Sequence, residues 1–123
     1  MAIFSNIGTQ TDLLIKQGGT LELRGVVRDN LGAPIDITDC VFTARMKKNG
    51  LDTNLVAQFA YEITDAVNGL YRLFLSAEET ALINCGELIT DIASQYVWDL
   101  EMTDTALRVI PLNYGSVAVY RNV

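Results

Sequence analysis

The chain has 123 residues, half of them hydrophobic and 20% charged, which suits one domain with its own core and rules out a disordered polymer. A formal net charge of −6 argues against a nucleic-acid partner, because binding phosphates needs a basic face, and here only Lys47 and Lys48 are adjacent basic residues. No apolar run approaches the ~20 residues of a membrane helix, and Met1-Ala2-Ile3-Phe4-Ser5-Asn6 lacks the basic-then-apolar pattern of a signal peptide, so the expectation is a chain made and kept in a cytosol, with no membrane partner.

Residues 1–11 hold Ile3, Phe4 and Ile7 between polar residues and Gly8, without a period. Three apolar side chains are unusual for a frayed end, so the segment is expected to be an extended N-terminal arm that packs on a neighbouring subunit; folding back on its own sheet is the alternative. Residues 12–16 and 20–28 read as strands separated by Gln17-Gly18-Gly19. In the second, Leu21, Leu23 and Val27 share one face, and Glu22, Arg24 and Arg28 the other. The Gly/Pro/Asp-rich stretch 29–38 is a turn, and after it Phe42, Ala44 and Met46 alternate with Thr43, Arg45 and Lys47. A period of two on both sides of such a turn predicts two antiparallel strands. Asn49-Gly50 opens another turn, extending through Asn54.

Residues 55–64 form the next strand, with Leu55, Ala57, Phe59, Tyr61 and Ile63 on one face. After the turn at 65–69, Tyr71, Leu73 and Leu75 alternate inward. The period then changes. Ser76 and Glu79 have the spacing of a capping box and predict a short helix to about Ile83, stopping near Asn84-Cys85-Gly86. Residues 87–94 read as an irregular loop or a second short helix. Residues 95–103 form a strand with Tyr96, Trp98, Leu100 and Met102 inward. Residues 106–110 and 116–121 are expected as two final strands, separated by Pro111 and Gly115. The whole predicts one all-β domain over residues 12–123, an antiparallel sandwich of seven or eight strands with one short helix.

The chain has no histidine, and so lacks the commonest general base, zinc ligand and nucleophile partner. It has neither a P-loop nor Gly-x-Gly-x-x-Gly. Asp99 and Glu101, two apart on the outward face of one strand, could pair for acid–base chemistry, but an outward acidic face is the default for a half-buried strand. Asp29, Asn30, Asp36 and Asp39 could gather oxygens for calcium, but their spacing is not that of an EF-hand, and these residue types favour turns anyway. Cys40 and Cys85 read as reduced, unpaired thiols. Trp98 reads as core; Tyr114 and Tyr120 fit either core or interface. No catalytic residue, cofactor or metal is expected.

Three segments together carry a resemblance. The first is Ile15-Lys16-Gln17-Gly18-Gly19-Thr20 with the 29–38 turn. The second is Gly69-Leu70-Tyr71-Arg72-Leu73-Phe74-Leu75-Ser76-Ala77-Glu78-Glu79-Thr80-Ala81. The third is Tyr96-Val97-Trp98-Asp99-Leu100-Glu101 followed by Gly115-Ser116-Val117-Ala118-Val119. Over residues 12–121 this resembles small tailed-bacteriophage virion proteins with an immunoglobulin-like β-sandwich, similar to the N-terminal domain of upper baseplate proteins. The stretch from Gly86 to Gln95 is longer than that pattern, and the arm before Asp12 is an addition to it. The resemblance implies a non-enzymatic structural protein that docks onto tail, baseplate or tail-fibre components in many copies of a symmetric virion assembled in the bacterial cytoplasm. Ile3, Phe4 and Ile7 are the expected interface residues. A capsid decoration protein is the first alternative, a carbohydrate-binding module on a tail fibre the second, and an enzyme a distant one.

Overall fold

The computed structural model describes residues 8–49, 54–84 and 93–121. Several expectations lie outside these residues: the arm positions Ile3, Phe4 and Ile7, the turn at 50–53, Cys85, and residues 87–92 of the loop or helix expected over 87–94, whose last two residues belong to a strand instead.

Among the described residues, eight strands and one helix follow in chain order: β1 (Thr9–Gln10), β2 (Leu13–Lys16), β3 (Leu21–Val26), β4 (Val41–Lys47), β5 (Leu55–Asp65), β6 (Leu70–Leu75), α1 (Ala77–Ala81), β7 (Ala93–Thr103) and β8 (Val109–Tyr120). All the strands join one curled sheet in the order β1-β8-β7-β4-β5-β6-β3, with β2 also on β8. The all-β class with one short helix stands. The purely antiparallel arrangement does not: β1 and β2 both run parallel to β8, with Thr9 opposite Asn113 and Leu13 opposite Val117. Alternation along a strand says which face is buried but not which way the neighbour runs.

The curl is made by β5. Its first half pairs with β4, Phe59 lying opposite Ala44; its second half pairs with β6, Ala60 lying opposite Phe74. The inner faces of β4 and β6 thus meet without being sheet neighbours, and the rings of Phe42 and Tyr71 sit 4.8 Å apart, centroid to centroid. One core results, including Leu13, Ile15, Phe42, Met46, Leu73, Leu75, Leu100 and Val117. Trp98 is inside it, 4% exposed, its ring 5.9 Å from that of Phe59. Tyr71, Leu73 and Leu75 are buried as their alternation predicts.

Ser76 caps α1 as expected. Its hydroxyl accepts from the Glu79 amide and the Glu79 carboxylate accepts from the Ser76 amide. The helix closes at Ala81, two residues short of the expected end, with Leu82 as its C-cap. So short a helix depends on packing, and Thr80 supplies it: fully buried, its hydroxyl accepts from the Gly18 amide and donates to the Gly19 carbonyl.

The two expected C-terminal strands are a single strand, β8. Pro111, opposite Glu101, sits at a register shift between Leu100 and Glu101, a place where a missing N–H is tolerated. Gly115 does not end a strand either. A Cβ there would lie 2.1 Å from the Thr11 carbonyl oxygen, so glycine is what lets the N-terminal segment lie against β8. The described part of the expected arm therefore folds on its own sheet: Thr9 and Gln10 pair with β8, and the Thr11 amide donates to the Tyr114 carbonyl.

Candidate interaction surfaces

The outer face of β4, β7 and β8 carries the acidic pair singled out in the sequence. Asp99 lies opposite Arg45 of β4, and Glu101 opposite Thr43. Arg45 Nη2 reaches Glu101 Oε1 at 2.6 Å and Asp99 Oδ2 at 3.4 Å. The guanidinium thus pairs with both carboxylates across the strands and offsets one of their two charges, and what this arrangement does chemically is ion pairing. From the sequence Arg45 is only an outward residue; the register that places it between the two acids depends on pairing 54 and 56 residues along the chain. Arg45 Nε and Asp99 Oδ1 are enclosed without a hydrogen-bond partner among the described residues. They border a shallow depression of about 370 Å³ that also touches Gln10, Lys47, Tyr114 and Ser116.

Tyr114 and Tyr120 are partly exposed, not core. At the other end of the same outer face, Val41 lies opposite Thr103, and Thr103 opposite Val109. Val41 and Val109 are each more than half exposed, and Leu107, in the turn leading into β8, is 82% exposed. Val41 and Val109 thus flank Thr103 at the rim of the sheet, and Leu107 stands exposed in the turn before β8.

The acids of the 29–38 turn are used locally. Asp29 Oδ1 accepts from the Leu31 and Ala33 amides, at 2.9 and 3.0 Å, and Asp36 Oδ1 accepts from the Thr38 amide and hydroxyl. The Thr38 hydroxyl, with its amide, holds the Asp36 carboxyl below the ordinary aspartate value. Among the described residues no group of three or more His, Cys, Asp or Glu is placed to hold a metal ion. Cys40 is buried and unpaired, and burial first, then Asp104, Asp36 and Asp39, push its thiol up.

A second opening lies between the two ends of the curled sheet. Residues 23–30, along and just beyond β3, form one wall of a cleft of about 530 Å³; Thr9, Thr11, Leu112 and Asn113 form the other, over a floor of Leu73, Trp98 and Leu100. Trp98 is tied to the far wall, its indole N–H donating to the Thr11 carbonyl at 2.7 Å. Tyr71 lies across Gly25, its partner in the β3–β6 ladder: a Cβ on Gly25 would meet the phenol oxygen at 2.3 Å. Burial pushes the Tyr71 hydroxyl up from its usual value. The sequence signal for this contact is a glycine inside a strand, which marks a close approach; nothing in the sequence names the tyrosine that makes it. No protein-family model matches the chain, and no curated protein matches it.

Proposed function

We propose that this chain is a non-enzymatic interaction module of a tailed-phage virion: an immunoglobulin-like sandwich that docks onto tail, baseplate or fibre components through protein–protein contacts. The sequence resemblance motivates the virion setting. The observation that carries the docking reading is the exposure of Val41 and Val109 on the outer face of the sheet, where a free-standing strand would carry polar side chains, with Leu107 exposed in the adjoining turn. The curl at β5, which sets the inner faces of β4 and β6 against each other, supports the two-layer reading.

Antibody labelling of intact particles tests this. Label at the tail supports the first reading, label over the head supports the capsid-decoration alternative, and absence of the chain from purified particles sinks both. Val41→Lys with Val109→Lys should reduce incorporation while leaving the melting temperature near that of the wild type. A second reading, a carbohydrate-binding module on a fibre, draws on one observation: Tyr114 stands beside Asp99, Arg45 and Gln10 in an outward depression, an aromatic surface next to polar groups. Binding to a glycan array, lost in Tyr114→Ala, would favour it.

A further inference from the structure

The open edge of β2 carries a pattern that complements itself. β2 pairs with β8 and, among the described residues, with no other strand. In a parallel ladder alternate residues turn their N–H and C=O toward the same neighbour. The Thr11 and Gln17 amides donate to the Tyr114 and Tyr120 carbonyls, so Leu13 and Ile15, in step with them, bond to β8. The backbone of Asp12, Leu14 and Lys16 faces the open side. There the Lys16 carbonyl accepts from the Gly19 amide, while the Lys16 amide and both Leu14 groups have no partner among the described residues. A strand edge in this state is a template for another strand.

The side chains on that edge say which strand. Leu13 and Ile15 lie in the core, whereas Leu14 is 70% exposed, with Asp12 and Lys16, also exposed, on either side of it along the edge. Asp12 Oδ1 accepts from the Ser116 amide at 3.0 Å, which fixes the negative charge at the start of β2. Set against an antiparallel copy of itself, this edge has one favourable register. A twofold axis at Asp12 or at Lys16 brings like charges face to face, which is destabilising. An axis at Leu13 or Ile15 sets Leu14 against Asp12 or Lys16. An axis at Leu14 sets Leu14 against Leu14 and each Asp12 against a Lys16. It also makes the facing residues the ones whose backbone groups point across the edge.

We propose that β2 of a second copy of this chain pairs antiparallel with β2 about a twofold axis at Leu14, so that one sheet runs through both molecules. Charge complementarity selects a second copy as the occupant: Asp12 of each molecule faces Lys16 of the other, and each exposed Leu14 is covered by its counterpart. The contact is isologous and closes at a dimer. It goes beyond the docking reading, since it uses a different edge from the rim of Val41 and Val109 and stands whether or not the chain is a virion component.

Sedimentation of the full-length protein across a dilution series tests it, with Leu14 charged in two ways. Leu14→Lys and Leu14→Glu each place like charges on the axis, and the exposed position should leave both melting temperatures near that of the wild type. The wild type should dimerise, and each variant alone should dimerise about tenfold more weakly or worse. An equal mixture of the two variants should recover the dimer, since lysine then meets glutamate. Recovery requires residue 14 to meet itself, which no effect on folding would mimic. A monomeric wild type, a variant that dimerises like the wild type, or a mixture that stays monomeric overturns the proposal. Should both Leu14 variants misfold, Lys16→Glu decides: it faces Asp12 with a like charge and must weaken the dimer by a similar factor, and undiminished dimerisation overturns the proposal. A monomeric wild type found in particles would defeat the edge contact and leave the virion reading standing; a dimer absent from particles would do the reverse.

Discussion

Gly115→Ala is the sharpest probe of how the N-terminal segment is held. The new methyl would lie 2.1 Å from the Thr11 carbonyl oxygen, 2.8 Å from its carbon and 2.9 Å from Asp12 Oδ1. Ordinary contact begins near 3.4 Å. The nearest atoms are backbone, so no side chain can swing aside; the segment must move by more than 1 Å. That movement breaks the Trp98–Thr11 hydrogen bond, now 2.7 Å, and strains the Asp12 contact to the Ser116 amide. Overpacking costs about 1–3 kcal/mol and a neutral hydrogen bond contributes about 1 kcal/mol, so the variant should lose about 2–4 kcal/mol. For a domain of this length that corresponds to roughly 10 °C in melting temperature. Thermal unfolding followed by Trp98 emission measures it directly. Gly32→Ala is the comparison: Gly32 has φ +86° and no atom within 4 Å of where its methyl would sit, so only backbone strain acts, about 1–2 kcal/mol. If Gly115→Ala melts with the wild type, the parallel packing of the N-terminal segment on β8 is wrong.

Three further outcomes follow from the contacts above. Ser76→Ala should lower stability by about 1 kcal/mol through loss of the capping box, measured by urea unfolding; no change would mean that the Thr80 contacts alone hold the helix. Cys40 should resist iodoacetamide in the folded protein and react promptly in denaturant, since its thiol is buried and pushed up; rapid native labelling in a peptide map would contradict this. Asp12 accepts from the Ser116 amide, and that bond lowers its carboxyl below the ordinary aspartate value. Its contribution is therefore present above about pH 4, the unfolded value, and is lost as pH falls through the lower folded value. Asp12→Asn should then be less stable than the wild type at neutral pH, the gap closing in acid; a gap that widens in acid would reverse the assignment.

What the sequence made legible is what a short window decides. The alternation of Tyr71, Leu73 and Leu75, the inward row through Trp98, and the Ser76–Glu79 box depend on neighbours within a turn or a strand, and each is found as expected. What it hid depends on distant partners. The parallel pairing of Leu13 with Val117 joins the two ends of the chain, and a period of two carries no information about a partner's direction. Pro111 and Gly115 look like breaks when their usual effects are weighed without the bulge that tolerates one and the Thr11 carbonyl that requires the other. The acidic pair is visible in sequence, but the Arg45 that pairs with it sits on another strand. The cleft is invisible there for the same reason: its walls are residues 23–30 and 111–113, brought together by the curl at β5.

The parallel pairing of β2 with β8 also decides how this domain answers a pull. Leu13–Lys16 runs beside Val117–Tyr120 in the same direction, so opposite forces on the leading end of β2 and the trailing end of β8 slide one past the other. The ladder bonds then share the strain together instead of opening one by one from an end, as they would in a peeled hairpin. Such a domain should yield in a single abrupt rupture, at a rate set by its unfolding barrier. A force–extension trace with a gradual, stepwise lengthening before that rupture would contradict it. For a part strung between other proteins, the topology acts as a clamp at both ends of the chain.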